Sequence, residues 1–317
     1  MSSKIIMPDG SSRHMGRTRS VAKAPRLSLK SYFRDSVGVA LPTPPASVDY
    51  SHAAAPALSQ MYLNDQLGDC VIAGIAHLVG LFTANAGQTP VTFTNAQLLA
   101  LYSAIGGYVP GNPATDNGCN ETDALNYWQN HGAPSGSHPI AGWLAVDPRD
   151  AVQVKTALWL FENLFFGVEL PDAWLTVNGN GFTWDAGIPN PNNGHAFVGT
   201  GYDSTGVKVS TWGLLGTLTW RAITTDVVPQ AGGELYVVLS QDIINKASAK
   251  APNGFNWSQL VADMNAIGGH LPVPVTPPVP VPPAPVPPAP VPPAPKAPPT
   301  QAQVLSAVTS AINTLYK

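Results

Sequence analysis

Two residues in the chain have the type and setting to carry out covalent chemistry on a carbonyl group. Cys70 follows a polar, turn-like segment, residues 64–69, and directly begins an apolar run with helical composition. A thiol at a helix N-terminus feels the positive end of the helix dipole, which lowers its pKa. The free backbone amides there also suit a developing oxyanion. The alternative is that Cys70 is an ordinary small buried residue, the usual fate of a free cysteine.

His195 is the best-placed base for this thiol, because it begins a stretch typical of a strand, residues 195–202, after a Gly-containing turn. The other six histidines lie in flanking segments, in loops or on the Cys70 helix: His14, His52, His77, His131, His138 and His270. We expect His77 in the core or at its edge. Neither Cys-x-x-Cys nor His-Glu-x-x-His occurs, so we expect no metal and no cofactor.

Four blocks in the order of the chain, from about Leu58 to Leu239, resemble the papain-like cysteine peptidases. The first is residues 66–70, and the second combines residues 93–99 and 118–132. The third is residues 194–202, and the fourth is residues 207–213. The motif Asn-Asp-x-x-Gly-Asp-Cys at 64–70 is similar to that of a branch of this superfamily found in phage and prophage genes. The resemblance implies an α+β, papain-like fold with a helical first half that carries the nucleophile and an antiparallel sheet in the second half.

The resemblance also implies roles for individual residues. Cys70 would attack the carbonyl, and His195 would take the thiol proton and later donate it to the leaving group. The amide of Cys70 and a side-chain amide from either Gln66 or Asn64 would hold the oxyanion. The family's glutamine corresponds in spacing to Asn64, and the choice stays open.

The third catalytic position departs from the family. The asparagine that orients the imidazole in these peptidases falls on Ser210, whose reach is shorter. Asp203 or Asp185 is an alternative partner for the imidazole. Trp212, which would shield this contact, is retained.

The cleft wall and the cysteines depart as well. Asn120 and Glu121 replace the family's glycine pair, so substrate is expected to meet a bulkier, acidic wall. Cys119 lacks its usual disulfide partner because position 67 is leucine, and we expect both cysteines as free thiols.

The residue patterns themselves predict helices first and strands afterwards, which is typical of an α+β domain. One expected helix begins at Cys70, and three more span 95–103, 121–130 and 149–164. The expected strands are 165–170, 195–202, 207–212, 217–220 and 234–239.

Residues 1–57 are expected to form a basic, then proline-rich arm ahead of a domain at 58–245. Residues 1–34 hold eight basic residues against Asp9, a local charge of +7 on a chain whose net charge is −3. Three hypotheses stay open: residues 4–34 make non-specific contact with an anionic partner such as nucleic acid, the arm is a propeptide that covers the cleft, or it is a solvated start of the chain.

The remaining segments are expected to tether the domain. Residues 246–271 are predicted as a short helical connector, residues 272–299 as a polyproline spacer of ~90 Å, and residues 300–317 as an amphipathic helix with Thr300 as N-cap. The chain has neither a secretory signal nor a membrane-spanning run, so we expect a cytoplasmic or virion-associated protein.

Two hypotheses of function follow. The first is a papain-like cysteine hydrolase that cuts peptide or isopeptide bonds of a protein or peptide substrate and is tethered to a larger assembly through the arm and the C-terminal helix. The alternative is a weak or inactive papain-like domain that serves as a structural or binding component of a phage virion or a similar particle.

Overall fold

The structure is a computed structural model that describes residues 2–21, 27–32, 43–243, 259–260, 300–303 and 306–307. The chain divides into two compact units, Met1–Pro274 and Val275–Lys317. No helix in these described ranges is long and apolar enough to cross a membrane.

Six α-helices lie wholly within the described residues of the first unit, and their starts are mostly set by capping side chains. Thr94, Asn120, Asp150 and Thr219 each accept a backbone N–H in the first turn of the helix that follows. The helices are α1 (Ala55–Leu58), α2 (Cys70–Asn85), α3 (Asn95–Gly106), α4 (Glu121–His131), α5 (Ala151–Phe161) and α6 (Trp220–Asp226). Short 3₁₀ turns span Leu29–Tyr32, Pro113–Thr115, Asp172–Thr176 and Pro229–Ala231.

Ten strands among the described residues form a hairpin and an eight-stranded sheet. The strands are β1 (Ser3–Ile6), β2 (Ser12–Met15), β3 (Val48–Asp49), β4 (Ile140–Ala145), β5 (Leu164–Glu169), β6 (Phe182–Trp184), β7 (Gly194–Tyr202), β8 (Gly206–Thr211), β9 (Leu214–Thr219) and β10 (Glu234–Ser240). β1 and β2 pair with each other. The sheet order is β4-β10-β5-β7-β8-β9-β6, with β3 also paired to β7, and every pairing except β6 with β9 is antiparallel.

The buried residues of this sheet are divided between two hydrophobic clusters, one of which contains the helix that begins at Cys70. One contains α2 together with parts of α3 and α4, and the other contains α5 and the Trp174 and Trp184 side chains. Every residue of α2 from Cys70 to Ala84 is buried. At Gly74 a Cβ atom would lie 2.5 Å from the ring of Phe165, so glycine lets α2 approach strand β5.

The α+β prediction is confirmed, and the expected helices and strands are found with shifted ends. Trp220, expected to end a strand, instead begins α6, because the Thr219 hydroxyl accepts the N–H of Ala222 and caps a helix. Strands β4 and β6, helix α6 and the β1–β2 hairpin were missed. Their sequences are short and carry weak periodicity.

The boundary expected at residue 58 does not separate an arm from a domain. Leu29 and Tyr32 are buried in the core, and β3 adds to the sheet beside β7. Leu260 of the expected connector is buried in the same core. In the second unit, Thr300 N–H donates to the Gln303 side chain at 2.9 Å, at the start of the helix expected there. The proline-rich spacer 272–299 lies outside the described residues.

Candidate active site

Cys70 is the first residue of α2 and is 1% exposed. Burial raises the pKa of its thiol to about 12, although hydrogen bonds from the backbone amides of Ala196 and Gly16 favour the thiolate. Asp69, at the N-cap, is also fully buried, and burial raises the pKa of its carboxyl well above the usual value. The thiol is therefore protonated in this arrangement.

His195 lies near the start of β7 and faces the same small cavity as Cys70, a space of about 10 Å³. Burial lowers the pKa of the imidazole to about 3, so the ring is neutral. Its Nε2 lies 2.7 Å from the hydroxyl oxygen of Thr211. Its Nδ1 is buried and has no hydrogen-bond partner among the described residues. Because Nε2 contacts Thr211, Nδ1 is the ring nitrogen that remains open to a proton from another group.

The residue that contacts the imidazole is Thr211, one position after the residue expected from the resemblance. Ser210 is buried too, but its hydroxyl donates to the carbonyl of Leu58 at 3.2 Å. Successive side chains of a strand point to opposite faces, so a shift of one residue reverses the face. The β7–β8 pairing also shifts register between Gly199 and Gly201. The expected role of Ser210 is therefore not supported by the geometry.

The two carboxylates considered for the same role lie elsewhere. Asp203 accepts the N–H of Thr205 at 2.7 Å, within the turn between β7 and β8. Asp185 accepts the Thr219 hydroxyl at 2.7 Å and is half exposed in its contact with Arg221. Neither has a hydrogen bond to His195 among those the structure describes.

Trp212 packs against the imidazole. Its ring centroid lies 4.6 Å from that of His195. Trp212 and Gly213 have φ values of +51° and +71° and form the tight turn that joins β8 to β9. Consecutive left-handed residues suit a two-residue hairpin turn, and this turn brings Trp212 over the ring.

Of the two residues considered for the oxyanion, Asn64 lies at the cavity and Gln66 does not. Asn64 is 2% exposed, and its side-chain amide donates to the carbonyls of His14 at 2.9 Å and Leu67 at 3.1 Å. Gln66 is exposed, and its amide approaches only the side chain of Asp65, at 3.5 Å. A donor beside Cys70 that already holds a carbonyl oxygen is suited to hold an oxyanion.

The N-terminal hairpin continues directly into this site. The carbonyl of Gly16 accepts the N–H of Cys119, and Thr18 N–H donates to the Cys119 carbonyl, both at 3.0 Å. On the opposite wall, Arg17 N–H donates to the carbonyl of Gly194 at 3.0 Å. We refer to residues 14–18, which lie between these walls, as the cleft segment.

Glycines permit this close approach. A Cβ atom at Gly16 would lie 1.7 Å from the carbonyl oxygen of Gly68, and one at Gly118 would lie 1.6 Å from that of Gly16. A Cβ atom at Gly194 would lie 2.0 Å from the carbonyl oxygen of Arg17. Backbone therefore meets backbone on each side of the cleft segment, and a side chain at any of these positions would displace it.

Two basic residues of the N-terminal region, Arg17 and Arg19, form ion pairs with the domain itself. The side chain of Arg17 pairs with Glu121 and Glu234, and Arg19 pairs with Glu169 at 2.6 Å. The acidic wall expected at Asn120 and Glu121 is thus present in part: Glu121 faces Arg17, whereas the Asn120 side chain caps α4. Sequence reasoning missed Arg17 and Thr211, and no local signal marked either residue.

The other chemically active groups among the described residues offer no second centre. His77 is buried, its Nε2 lies 3.0 Å from the carbonyl oxygen of Gln60, and burial lowers its pKa to about 4, as suits the core residue expected. Cys70 and Cys119 are both free thiols. Within the described ranges, no three His, Cys, Asp or Glu side chains are grouped to hold a metal ion.

The chain has the papain-like cysteine protease fold. It aligns with xylellain, a cysteine protease from Xylella fastidiosa, at 17% identity and a TM-score of 0.52, over 71% of this chain and 95% of xylellain. Procathepsin L 3 of the Tenebrio molitor larval midgut aligns at 13% identity and a TM-score of 0.47, over 68% of this chain and 76% of that one. The Amb a 11 cysteine protease of ragweed pollen, in its proform, aligns at 16% identity and a TM-score of 0.48, over 69% and 71%. No protein-family model and no curated protein sequence matches the chain.

Proposed function

We propose that this protein is a papain-like cysteine hydrolase that cleaves peptide or isopeptide bonds, with Cys70 as nucleophile and His195 as its base. One observation carries the proposal. The thiol at the start of α2 and an imidazole held at Nε2 by Thr211 line a single cavity. A thiol and an imidazole that a third group orients are two of the parts that an activated nucleophile requires.

The residues divide the reaction between them. Nδ1 of His195 takes the thiol proton, and the thiolate adds to the substrate carbonyl carbon. The side-chain amide of Asn64 and the backbone amide of Cys70 hold the oxyanion. The intermediate collapses to an acyl-enzyme as His195 returns the proton to the leaving amine, and water then hydrolyses the thioester with His195 again as base.

We further propose that the form described here is latent. The cleft segment lies where a substrate would have to bind, and its Gly16 amide is directed at the Cys70 sulfur. With the thiol pKa raised to about 12 and the imidazole pKa lowered to about 3, both groups are neutral. When the cleft segment leaves, water enters the site. The pKa of the thiol then falls and that of the imidazole rises, because much of the desolvation that shifted them is removed.

The test is a full-length protein in which residues 22–26 are replaced by the recognition sequence of a site-specific protease. Cleavage after folding frees residues 1–21 from their covalent link, and we call the product the released protein. We expect Cys70 to be alkylated by iodoacetamide slowly before cleavage and rapidly after it at pH 7, with hydrolysis of peptide libraries appearing in parallel. Cys70→Ser is the matched control for both readouts, with Cys119 kept.

His195→Ala in the released protein should abolish the rapid alkylation. A released protein whose Cys70 titrates like an ordinary cysteine, and which cleaves nothing in the libraries, would reject the hydrolase proposal. It would favour the alternative of a structural or binding domain on the same fold.

The setting of this activity is also a proposal. The resemblance of residues 64–70 to phage and prophage sequences, together with the proline-rich segment 272–299, supports a tether to a larger assembly such as a virion. We expect the full-length protein to associate with such particles and a chain that ends at residue 271 to remain unbound. Equal association of both chains would count against the tether.

A further inference from the structure

The Arg17 side chain fills a pocket built from four separate parts of the fold. Its Nε lies 3.2 Å from both carboxylate oxygens of Glu121, at the start of α4. Its Nη1 donates to the carbonyl of Gly232 at 2.7 Å, and its Nη2 pairs with Glu234 of β10. Gly167 of β5 forms the floor, since a Cβ atom there would lie 1.8 Å from Glu121 and 2.8 Å from the Arg17 Nε.

This pocket matches a guanidinium in shape as well as in charge. Three nitrogens of the planar group each meet an acceptor on a different element, which a single ammonium point charge does not reproduce. The side chain of Arg17 is 1% exposed and that of Glu121 is 0% exposed. A buried carboxylate is costly without a cationic partner, so the pocket favours a charged occupant over an apolar one.

The pocket adjoins the reacting groups. Gly16, the neighbour of Arg17 in the chain, directs its amide at Cys70, and the Arg17 amide donates to the carbonyl of Gly194, which precedes His195. A substrate whose backbone lies along the same two walls would place a side chain in this pocket, about one residue from the bond that Cys70 attacks.

We propose that the pocket formed by Glu121, Glu234, Gly167 and the Gly232 carbonyl is a specificity subsite for an arginine side chain of the substrate, and that Arg17 occupies it in the latent protein as a mimic of that side chain. The inference rests on the proposed peptide hydrolysis for its biological meaning. The recognition itself requires only binding, so the two can fail separately.

The binding test adds fluorescent peptides with the sequence of residues 2–21 to the released protein. These peptides compete for the cleft with the unlabelled residues 1–21 that the cleavage has freed. Citrulline in place of Arg17 keeps the shape of the side chain but removes its charge. We expect it to weaken binding by roughly 30-fold or more, as for removal of one partner from a buried charge pair. Citrulline in place of Arg19, whose side chain is 59% exposed, is the matched control and should weaken binding by about 5-fold at most.

A Glu121→Gln protein should lose most of the discrimination between the arginine and citrulline peptides, while Glu169→Gln should retain it. Should the Glu121→Gln protein fail to fold, the peptide comparison with the unaltered protein still decides. Equal affinity for the peptides with arginine and with citrulline at position 17 would overturn the inference.

The second test is cleavage of a peptide library with every position varied. We expect arginine to be enriched by at least about 10-fold at one fixed position beside the cleaved bond, and lysine to be enriched less. Cleavage with no preference for arginine at any position would overturn the assignment to substrate, even if the cleft segment binds through Arg17. Arginine-dependent binding without any cleavage would reject the hydrolase proposal and leave the pocket assignment standing.

Discussion

The hydroxyl oxygen of Thr211 lies 2.7 Å from Nε2 of His195, which leaves Nδ1 as the ring nitrogen without a hydrogen-bond partner among the described residues. If Nε2–H donates to Thr211, the lone pair is left on Nδ1, the nitrogen proposed to take the thiol proton. A hydroxyl is neutral and holds the ring by geometry rather than by charge. The tautomer and orientation of the base therefore depend on one short side chain at the end of β8.

Replacement of Thr211 by valine keeps the volume of the side chain and removes this contact. Because a buried Nε2–H then lacks a partner, we expect kcat/KM of the released protein to fall by about 10- to 100-fold. Ser210→Ala is the matched control: its hydroxyl binds Leu58, so stability should fall by about 1 kcal/mol with kcat/KM retained. Thr211→Ser should restore activity. A large loss of rate in Ser210→Ala with none in Thr211→Val would reverse the assignment.

Asn64→Ala removes the side-chain donor that holds the His14 carbonyl beside Cys70. Since an oxyanion donor acts mainly on the transition state, we expect kcat of the released protein to fall by about 100-fold with little change in KM. Gln66→Ala, at an exposed position four residues before Cys70, should leave both constants unchanged. A similar effect of the two substitutions would contradict the role assigned to Asn64.

Gly16→Ala should convert the latent protein into an open one without proteolysis. A Cβ atom at this position would lie 1.7 Å from the Gly68 carbonyl oxygen, so the cleft segment cannot keep its place. We expect alkylation of Cys70 by iodoacetamide to accelerate by at least about 10-fold, and its pH profile to move down from the pKa of about 12. Val21→Ala, 70% exposed, is the control and should leave the rate unchanged. Slow alkylation in Gly16→Ala would show that the segment does not block the thiol.

Glu121 gives the stability of the latent protein a specific dependence on pH. Burial raises the pKa of its carboxyl from 4.5 to about 7, although Arg17 opposes the shift. Between these values the folded protein holds a proton that the unfolded chain releases. The contribution of this group is therefore fully present below pH 4.5 and is lost as the pH rises through 7.

Urea unfolding of the unaltered protein and Glu121→Gln at about pH 4 and about pH 8 isolates this group. We expect the difference in free energy of unfolding, unaltered minus variant, to fall by about 3 kcal/mol between the two pH values. Glu169→Gln serves as the control for removal of a carboxylate that pairs with an arginine. A difference that stays constant with pH would mean that folding does not shift the pKa of the Glu121 carboxyl.

Local sequence was enough to single out Cys70 and His195, the residues proposed as nucleophile and base. Cys70 stands where polar turn residues give way to an apolar helix, and His195 opens a strand whose composition is β-branched and aromatic. Both signals act over a few residues, so they can be read without knowledge of the fold. The same holds for the helices expected at 95–103 and 121–130, which are α3 and α4 in the structure.

Contacts between distant parts of the chain were not predictable in this way. The choice between positions 210 and 211 depends on the pairing of β7 with β8 and its shift in register, because one residue more or less reverses the face of a strand. The place of Arg17 depends on partners 104 and 217 residues away. Its charge suggested an anionic partner outside the molecule, whereas the structure supplies one inside.

The amino-acid sequence by itself determined the α+β class, the helix that begins at Cys70 and the strand that carries His195, because these follow from short-range propensity and periodicity. Only the tertiary structure decided that Thr211 holds the imidazole, that Asn64 rather than Gln66 lies beside the thiol, and that the cleft contains residues 14–18. Each of these depends on which surfaces meet when the helices, sheet and hairpin pack, and that is settled by burial and hydrogen bonding across the whole domain.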